Sequence, residues 1–103
     1  MINDKNFKPT LAISNEAQKG INLHNKFNKG GTEVGLERAK QLANRENLSV
    51  ADIKSMYSYF ARHIVDKNKS NFGDKKNPSK GYIAWLLWGG YMGKKWVTIN
   101  IRT

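Results

Sequence analysis

Two polar side chains near the middle of the chain have the types and the spacing of a general-base pair. His63 and Asp66 stand three residues apart in "ARHIVDK", so on a helix they would share one face. A carboxylate in that position can orient an imidazole for proton transfer. Catalysis also needs a nucleophile and an oxyanion site that converge on the pair, and the sequence supplies no clear candidate for either. We therefore predict that the protein is not an enzyme.

Metal and cofactor sites are not predicted either. The chain contains no cysteine and only two histidines, which are far apart, whereas zinc sites need three or four converging ligands. His24 lies among apolar positions of a predicted helix, where a half-buried, hydrogen-bonded imidazole is the usual state. The glycines at 89, 90 and 93 lack the spacing of a phosphate-binding loop.

Positive charge is the strongest bulk signal. The net charge is +10, and residues 54–103 hold 10 basic against 2 acidic side chains. Such a concentration attracts polyanions. Fourteen of the 18 basic residues are lysine, which suits contact with phosphate rather than bidentate reading of bases. The predicted phosphate contacts are Lys67, Lys69, Lys75, Lys76, Lys80, Lys94, Lys95 and Arg102.

All three tryptophans lie in "GYIAWLLWGGYMGKKW", residues 81–96. A helix that is apolar all round is normally buried, so the core is the favoured place for Trp85, Trp88 and Trp96. The alternative is a contact surface, on which an exposed tryptophan beside lysines stacks on a base or anchors a protein partner.

The elements that would position these side chains begin with a loose polar arm over residues 1–12. Ser14 is predicted to cap the first helix, which Gly30 and Gly31 end. Thr32 opens a second helix over residues 33–45.

The third helix has the clearest start. Ser49 and Asp52 form a capping box, and Leu48 and Ile53 can form a hydrophobic staple around it. One apolar stripe follows at helical spacing: Ile53, Met56, Tyr57, Phe60, Ala61 and Ile64.

A basic loop without periodicity covers residues 66–79. Ser79 caps a fourth helix over residues 80–88, and Gly89 and Gly90 end it. "YMGKKWV" forms one more short helix, and the tail "TINIRT" is predicted to be irregular. The prediction is an all-α fold: a small single domain over residues 13–103, with four to five short helices and a central aromatic helix near the C-terminus.

Three stretches carry a family resemblance: "GGTEVGLERAKQLANRENLS", "MYSYFARHIVDK" and "NPSKGYIAWLLWGG". Their order resembles a small module of tailed bacteriophages, encoded near head-maturation proteases or fused to them. The similarity spans residues 30–96. Where such sequences have "ARHEVDK" and "WGGDAG", this chain has Ile64 in place of an acid and Tyr91-Met92 in place of an acid and an alanine. The resemblance implies a phage origin and a role around the genome or the head, without a mechanism.

The leading hypothesis is a phage-encoded, non-catalytic nucleic-acid-binding module of low sequence specificity, with DNA favoured over RNA. The alternative is a virion or host-targeting interaction protein whose basic and aromatic surface binds an acidic phage or host protein. A nucleic-acid-processing enzyme using His63 and Asp66 is the third.

The expected location is the host cytoplasm or the virion. The N-terminus lacks the apolar segment of a signal peptide. The longest apolar run is far shorter than the roughly 20 residues that cross a bilayer, so no membrane partner is predicted.

Overall fold

The computed structural model describes residues 7–63, 74 and 76–102, and within them the chain forms one small all-α domain. This confirms the predicted fold class. The helices are α1 (Leu11–Phe27), α2 (Glu33–Ala43), α3 (Val50–Arg62), α4 (Lys80–Leu87) and α5 (Gly90–Asn100).

Hydroxyl side chains start the first four helices. Thr32, Ser49 and Ser79 each accept a hydrogen bond from the backbone N–H three residues later, at 3.1, 3.1 and 3.0 Å. These three caps were predicted because the signal is local. Asp52 closes the predicted capping box by accepting from the Ser49 backbone N–H at 2.9 Å.

The first helix begins earlier than predicted. Its N-cap is Thr10, whose hydroxyl accepts from the Ile13 N–H at 3.3 Å. Ser14, the predicted cap, lies buried inside α1 and donates to the Ala43 carbonyl at 2.7 Å. This serine therefore joins α1 to the end of α2. The helix ends at Phe27, before the predicted stop at Gly30 and Gly31, and its C-cap Asn28 adopts the left-handed conformation.

Residues 7–12 belong to the folded domain, so the predicted arm boundary is wrong in this part. Phe7 and Leu48 exchange backbone hydrogen bonds of 2.9 and 2.8 Å in an isolated antiparallel bridge. The Arg45 guanidinium donates to the carbonyl of buried Pro9 at 2.9 Å. Backbone pairing and burial thus hold this segment against the turn between α2 and α3, whereas residues 1–6 lie outside the described residues.

Helix α4 is central, as predicted. It packs against α1, α2 and α5, and Ile83, Leu86 and Leu87 are buried. It runs antiparallel to α1, because Gly20 lies against Leu86 and Leu87 and Gly30 lies against Ile83. The short connection of Gly89 and Gly90, with φ of 107° and 62°, then returns the chain into α5.

The core side of α3 differs from the predicted stripe. Ile53, Met56 and Phe60 are buried as expected, but Tyr57 and Ala61 are exposed. Tyr59 is buried in their place, since it stacks on Trp88. The stripe prediction for Ile64 lies outside the described residues.

Helix α5 extends further than predicted. Thr98, Ile99 and Asn100 are helical, although their tail was predicted to be irregular. Val97 is fully buried and Ile101 packs against the core, and the Ile101 N–H donates to the Val97 carbonyl at 2.8 Å. Packing of this face outweighs the modest helix penalty of β-branched residues.

Candidate nucleic-acid interface

The two histidines differ in exposure: His63 is exposed and His24 is half-buried. His63 is the exposed C-cap of α3, with its imidazole stacked on Tyr59 at 4.7 Å between ring centroids. Its proposed partner Asp66 lies outside the described residues. His24 is half-buried, as predicted. Its Nδ1 lies 2.8 Å from the Gly30 carbonyl and 3.2 Å from that of Lys29, so Nδ1 carries a hydrogen and fixes the chain after α1.

A stack of rings leads from His63 into the core. Tyr59 also stacks on Trp88, at 4.6 Å and 8° between the ring planes. Burial raises the pKa of Tyr59 to about 12. The Arg38 guanidinium lies 5.9 Å from the Trp88 ring and pairs with Asp52 at 3.0 Å. Only the His63 end of this stack is open to solvent.

The tryptophans belong mainly to the core. Trp88 is 8% exposed and is part of the buried cluster, whereas Trp85 and Trp96 are half-buried and pack against it. Trp96 meets Phe7 edge to face at 6.5 Å, and Trp85 lies 6.3 Å from Tyr82. These contacts favour the core interpretation and leave Trp88 little surface for a base.

The predicted phosphate contacts that the structure describes lie on two segments of the chain. Lys67, Lys69 and Lys75 lie outside the described residues. Lys76 and Lys80 are exposed beside the first turn of α4. The other three are exposed on or just after α5, which begins beyond the opposite end of α4: Lys94, Lys95 and Arg102. Within the described part of the chain, none of these five cations has a carboxylate partner.

The packing of α1 against α4 brings three more lysines near Lys76 and Lys80. The Lys19 ammonium lies 5.8 Å from the Tyr82 ring, so Lys19 faces α4. A hydrogen bond with Tyr82 raises the pKa of Lys19. Lys26 follows seven residues later, on the same face of α1. Lys29 donates to the Asn77 side chain at 2.9 Å.

These residues lie on the paired helices α1 and α4 and on the loops beside the end of α1 and the start of α4. A Cβ added at Gly30 would lie 3.1 Å from the Lys80 carbonyl, which places the end of α1 beside the start of α4. We call the following set the lysine seam: Lys19, Lys26, Lys29, Lys76 and Lys80.

One carboxylate lies at the same end of the molecule. Asp74 accepts hydrogen bonds from the backbone N–H groups of Lys76 and Asn77, at 2.8 and 3.3 Å. It therefore orders the turn before α4 through the backbone, and it forms no ion pair with a described side chain of the seam.

The sequence prediction missed Lys19, Lys26 and Lys29 because it assigned the positive charge to the C-terminal half. The spacing of seven between Lys19 and Lys26 was an available signal for a shared helix face. The pairing of that face with α4 was not, since it depends on contacts between distant parts of the chain.

Neither a metal site nor a membrane span is found within the described residues. No group of three or more metal-binding side chains converges there, and no helix there has the length and hydropathy to cross a bilayer.

Comparison of the chain with models of protein families, with curated proteins and with solved structures finds no match. The phage resemblance of the three sequence stretches thus stays a prediction.

Proposed function

We propose that this protein is a non-catalytic nucleic-acid-binding module of low sequence specificity, with DNA the favoured ligand. The lysine seam is the observation that carries the proposal. It consists of five lysines on α1, on α4 and on the loops beside them, and these two helices pack against each other. Phosphates along a nucleic-acid backbone are the matching ligand, because lysine ammonium groups meet phosphate as point charges.

The dimensions of the seam support binding along a strand. Lys19 and Lys26 are separated by seven residues, which is about 10 Å of helix rise. Lys80 and Lys29 lie where the end of α1 meets the start of α4, because the Lys80 carbonyl is close to Gly30 and Lys29 donates to Asn77. Contacts with phosphate alone carry no base information, so the proposal predicts similar affinity for unrelated sequences.

The test is a fluorescence-anisotropy titration of labelled single- and double-stranded DNA at about 50 and 200 mM salt, since phosphate-driven binding weakens steeply over that range. The double variant Lys26→Ala and Lys80→Ala should bind roughly tenfold more weakly at the lower salt, with a salt slope reduced by about 2. Both positions are exposed, so the fold should be unaffected.

The matched control removes two exposed lysines away from the seam, with Lys8→Ala and Lys54→Ala. It changes the net charge by the same amount but should retain most of the affinity. Equal losses in both double variants would indicate binding through diffuse charge instead of the seam. No binding by the wild-type protein at the lower salt would refute the proposal.

Lys94, Lys95 and Arg102 are not part of the lysine seam, and the proposal does not depend on them. A phage origin, with action in the host cytoplasm or the virion, remains part of the proposal. A processing enzyme is the remaining alternative, and it rests on two residues: His63, which stacks on Tyr59, and Asp66, which lies outside the described residues.

A further inference from the structure

The outward face of α5 carries large apolar side chains. Tyr91, Met92 and Ile99 are 53, 39 and 60% exposed. Tyr91, Lys95 and Ile99 follow each other at intervals of four, and Met92 lies beside this row, so they share one face. Gly93 and Val97 on the opposite face are buried. We call the outward residues the α5 face: Tyr91, Met92, Lys95 and Ile99.

The charged residues on the segment of the α5 face are all positive, although the Glu16 carboxylate of α1 lies beside the first residue of α5, 2.9 Å from a Cβ added at Gly90. Lys94 and Lys95 lie on the helix and Arg102 follows it, all exposed. Residues 76–102 contain no aspartate or glutamate. An apolar patch edged by cations fits a partner that presents apolar side chains and carboxylates together.

We propose that the α5 face binds an acidic amphipathic helix of a protein partner. Such a helix would place its apolar residues on Met92 and Ile99 and its carboxylates near Lys94 and Lys95, as in helix recognition by apolar surfaces. The inference goes beyond nucleic-acid binding, because it uses another helix and another chemistry.

Two other occupants fit less well. Nucleic acid would set sugar and phosphate groups against Met92 and Ile99 and gain little from their burial. In a two-fold dimer formed through this face, Lys94 and Lys95 of one copy would lie close to the same lysines of the other copy. Like charges placed in this way repel each other.

The test uses a fluorescein-labelled peptide of about 18 residues, with leucine at helical spacing and glutamate elsewhere, a length of five turns. Its control is a scrambled peptide of the same composition, which keeps the charge and loses the apolar face. The wild-type protein should bind the amphipathic peptide at least about tenfold more tightly than the scrambled one at 200 mM salt, because apolar anchors resist screening.

The double variant Met92→Ser, Ile99→Ser should bind the amphipathic peptide about tenfold more weakly than the wild-type protein does. The matched control is Leu11→Ser with Val34→Ser, which are 61 and 63% exposed on α1 and α2 and should leave peptide binding unchanged. Thermal midpoints of both variants establish that the fold is retained. Equal binding of the two peptides, or equal losses in the two variants, would overturn the inference.

Two further titrations separate the inference from its competitors. DNA affinity should be the same in wild type and in the Met92→Ser, Ile99→Ser variant, so failure of nucleic-acid binding and failure of peptide binding are distinguishable. The second titration measures cosedimentation with vesicles that contain phosphatidylserine. If the wild-type protein binds the vesicles but not the peptide, and the Met92→Ser, Ile99→Ser variant does not bind the vesicles, the face binds a lipid surface and the protein partner is refuted.

Discussion

The Asp52 carboxylate caps the start of α3 and joins that helix to α2. It accepts from the Ser49 backbone at 2.9 Å, and it pairs with Arg38 of α2 at 3.0 Å. Partial burial opposes its charge, but the hydrogen bonds from Ser49 and Arg38 prevail and lower the pKa of Asp52 below 3.8. The ionised form therefore stabilises the fold.

Asp52→Asn should lower the free energy of unfolding by about 1 kcal/mol at pH 7, because the amide keeps a cap but loses the pairing with Arg38. A carboxyl whose pKa is lowered by folding contributes stability above its unfolded pKa and loses that contribution as pH falls through its folded pKa. The difference between variant and wild type should thus shrink below pH 3.8, as measured by urea unfolding at pH 7 and at pH 3.

The control for this prediction is Glu37→Gln. The Glu37 carboxylate lies 4.0 Å from Lys40 in an exposed pair, which contributes little. An Asp52→Asn effect that does not change with pH would show that the carboxylate charge plays no part in it.

At the scale of elements, the close approach of α1 to α4 fixes the relative position of the two helices that carry the lysine seam. A Cβ added at Gly20 would lie 2.8 Å from the Leu87 backbone nitrogen and 3.0 Å from the Leu86 carbonyl carbon. Backbone atoms in a packed helix cannot yield as the end of a flexible side chain can. The two helices therefore require a residue without a side chain at position 20.

Gly20→Ala should destabilise the protein by about 1–3 kcal/mol, because overpacking outweighs the gain of up to about 1 kcal/mol in helix propensity. Gly81→Ala is the control, since a Cβ there meets no atom within 4 Å and should leave stability unchanged or raise it slightly. Thermal unfolding of both variants measures the contrast. A Gly20→Ala protein as stable as Gly81→Ala would mean that α1 and α4 can separate without cost.

The elements also show which features a sequence can predict. The caps Thr32, Ser49 and Ser79 were predictable because each depends on four adjacent residues. The role of Thr10 was missed because Ser14 is an equally good local cap, and only its distant contact with Ala43 separates the two. Likewise, the face of α3 that is buried contains Tyr59 instead of Tyr57 because Tyr59 stacks on Trp88, a residue far away in the sequence. The lysine seam depends in the same way on the pairing of α1 with α4.

At the scale of the whole molecule, the net charge of +10 opposes folding. Only two ion pairs join the described residues, Arg38 with Asp52 and Lys40 with Glu37. Most cations on the described surface therefore form no ion pair with a described carboxylate, although Glu16 acts on Lys19 of the seam. Repulsion among them destabilises the compact state, and salt screens it.

Raising sodium chloride from about 50 to about 500 mM should increase stability by roughly 1 kcal/mol, or a few degrees in the melting temperature. The Lys26→Ala, Lys80→Ala variant should gain less, because two charges of the seam are already gone. Calorimetry at both salt concentrations measures this. A melting temperature that falls with salt would indicate that attractive pairs dominate the electrostatics.

The edge contact between Phe7 and Trp96 has a kinetic consequence. These rings meet at 6.5 Å although nearly the whole described chain separates them. Closing so long a loop costs entropy that no local contact repays. The contact between Phe7 and Trp96 should therefore form after the helices have assembled. A substitution that removes this contact should speed unfolding and hardly alter the folding rate.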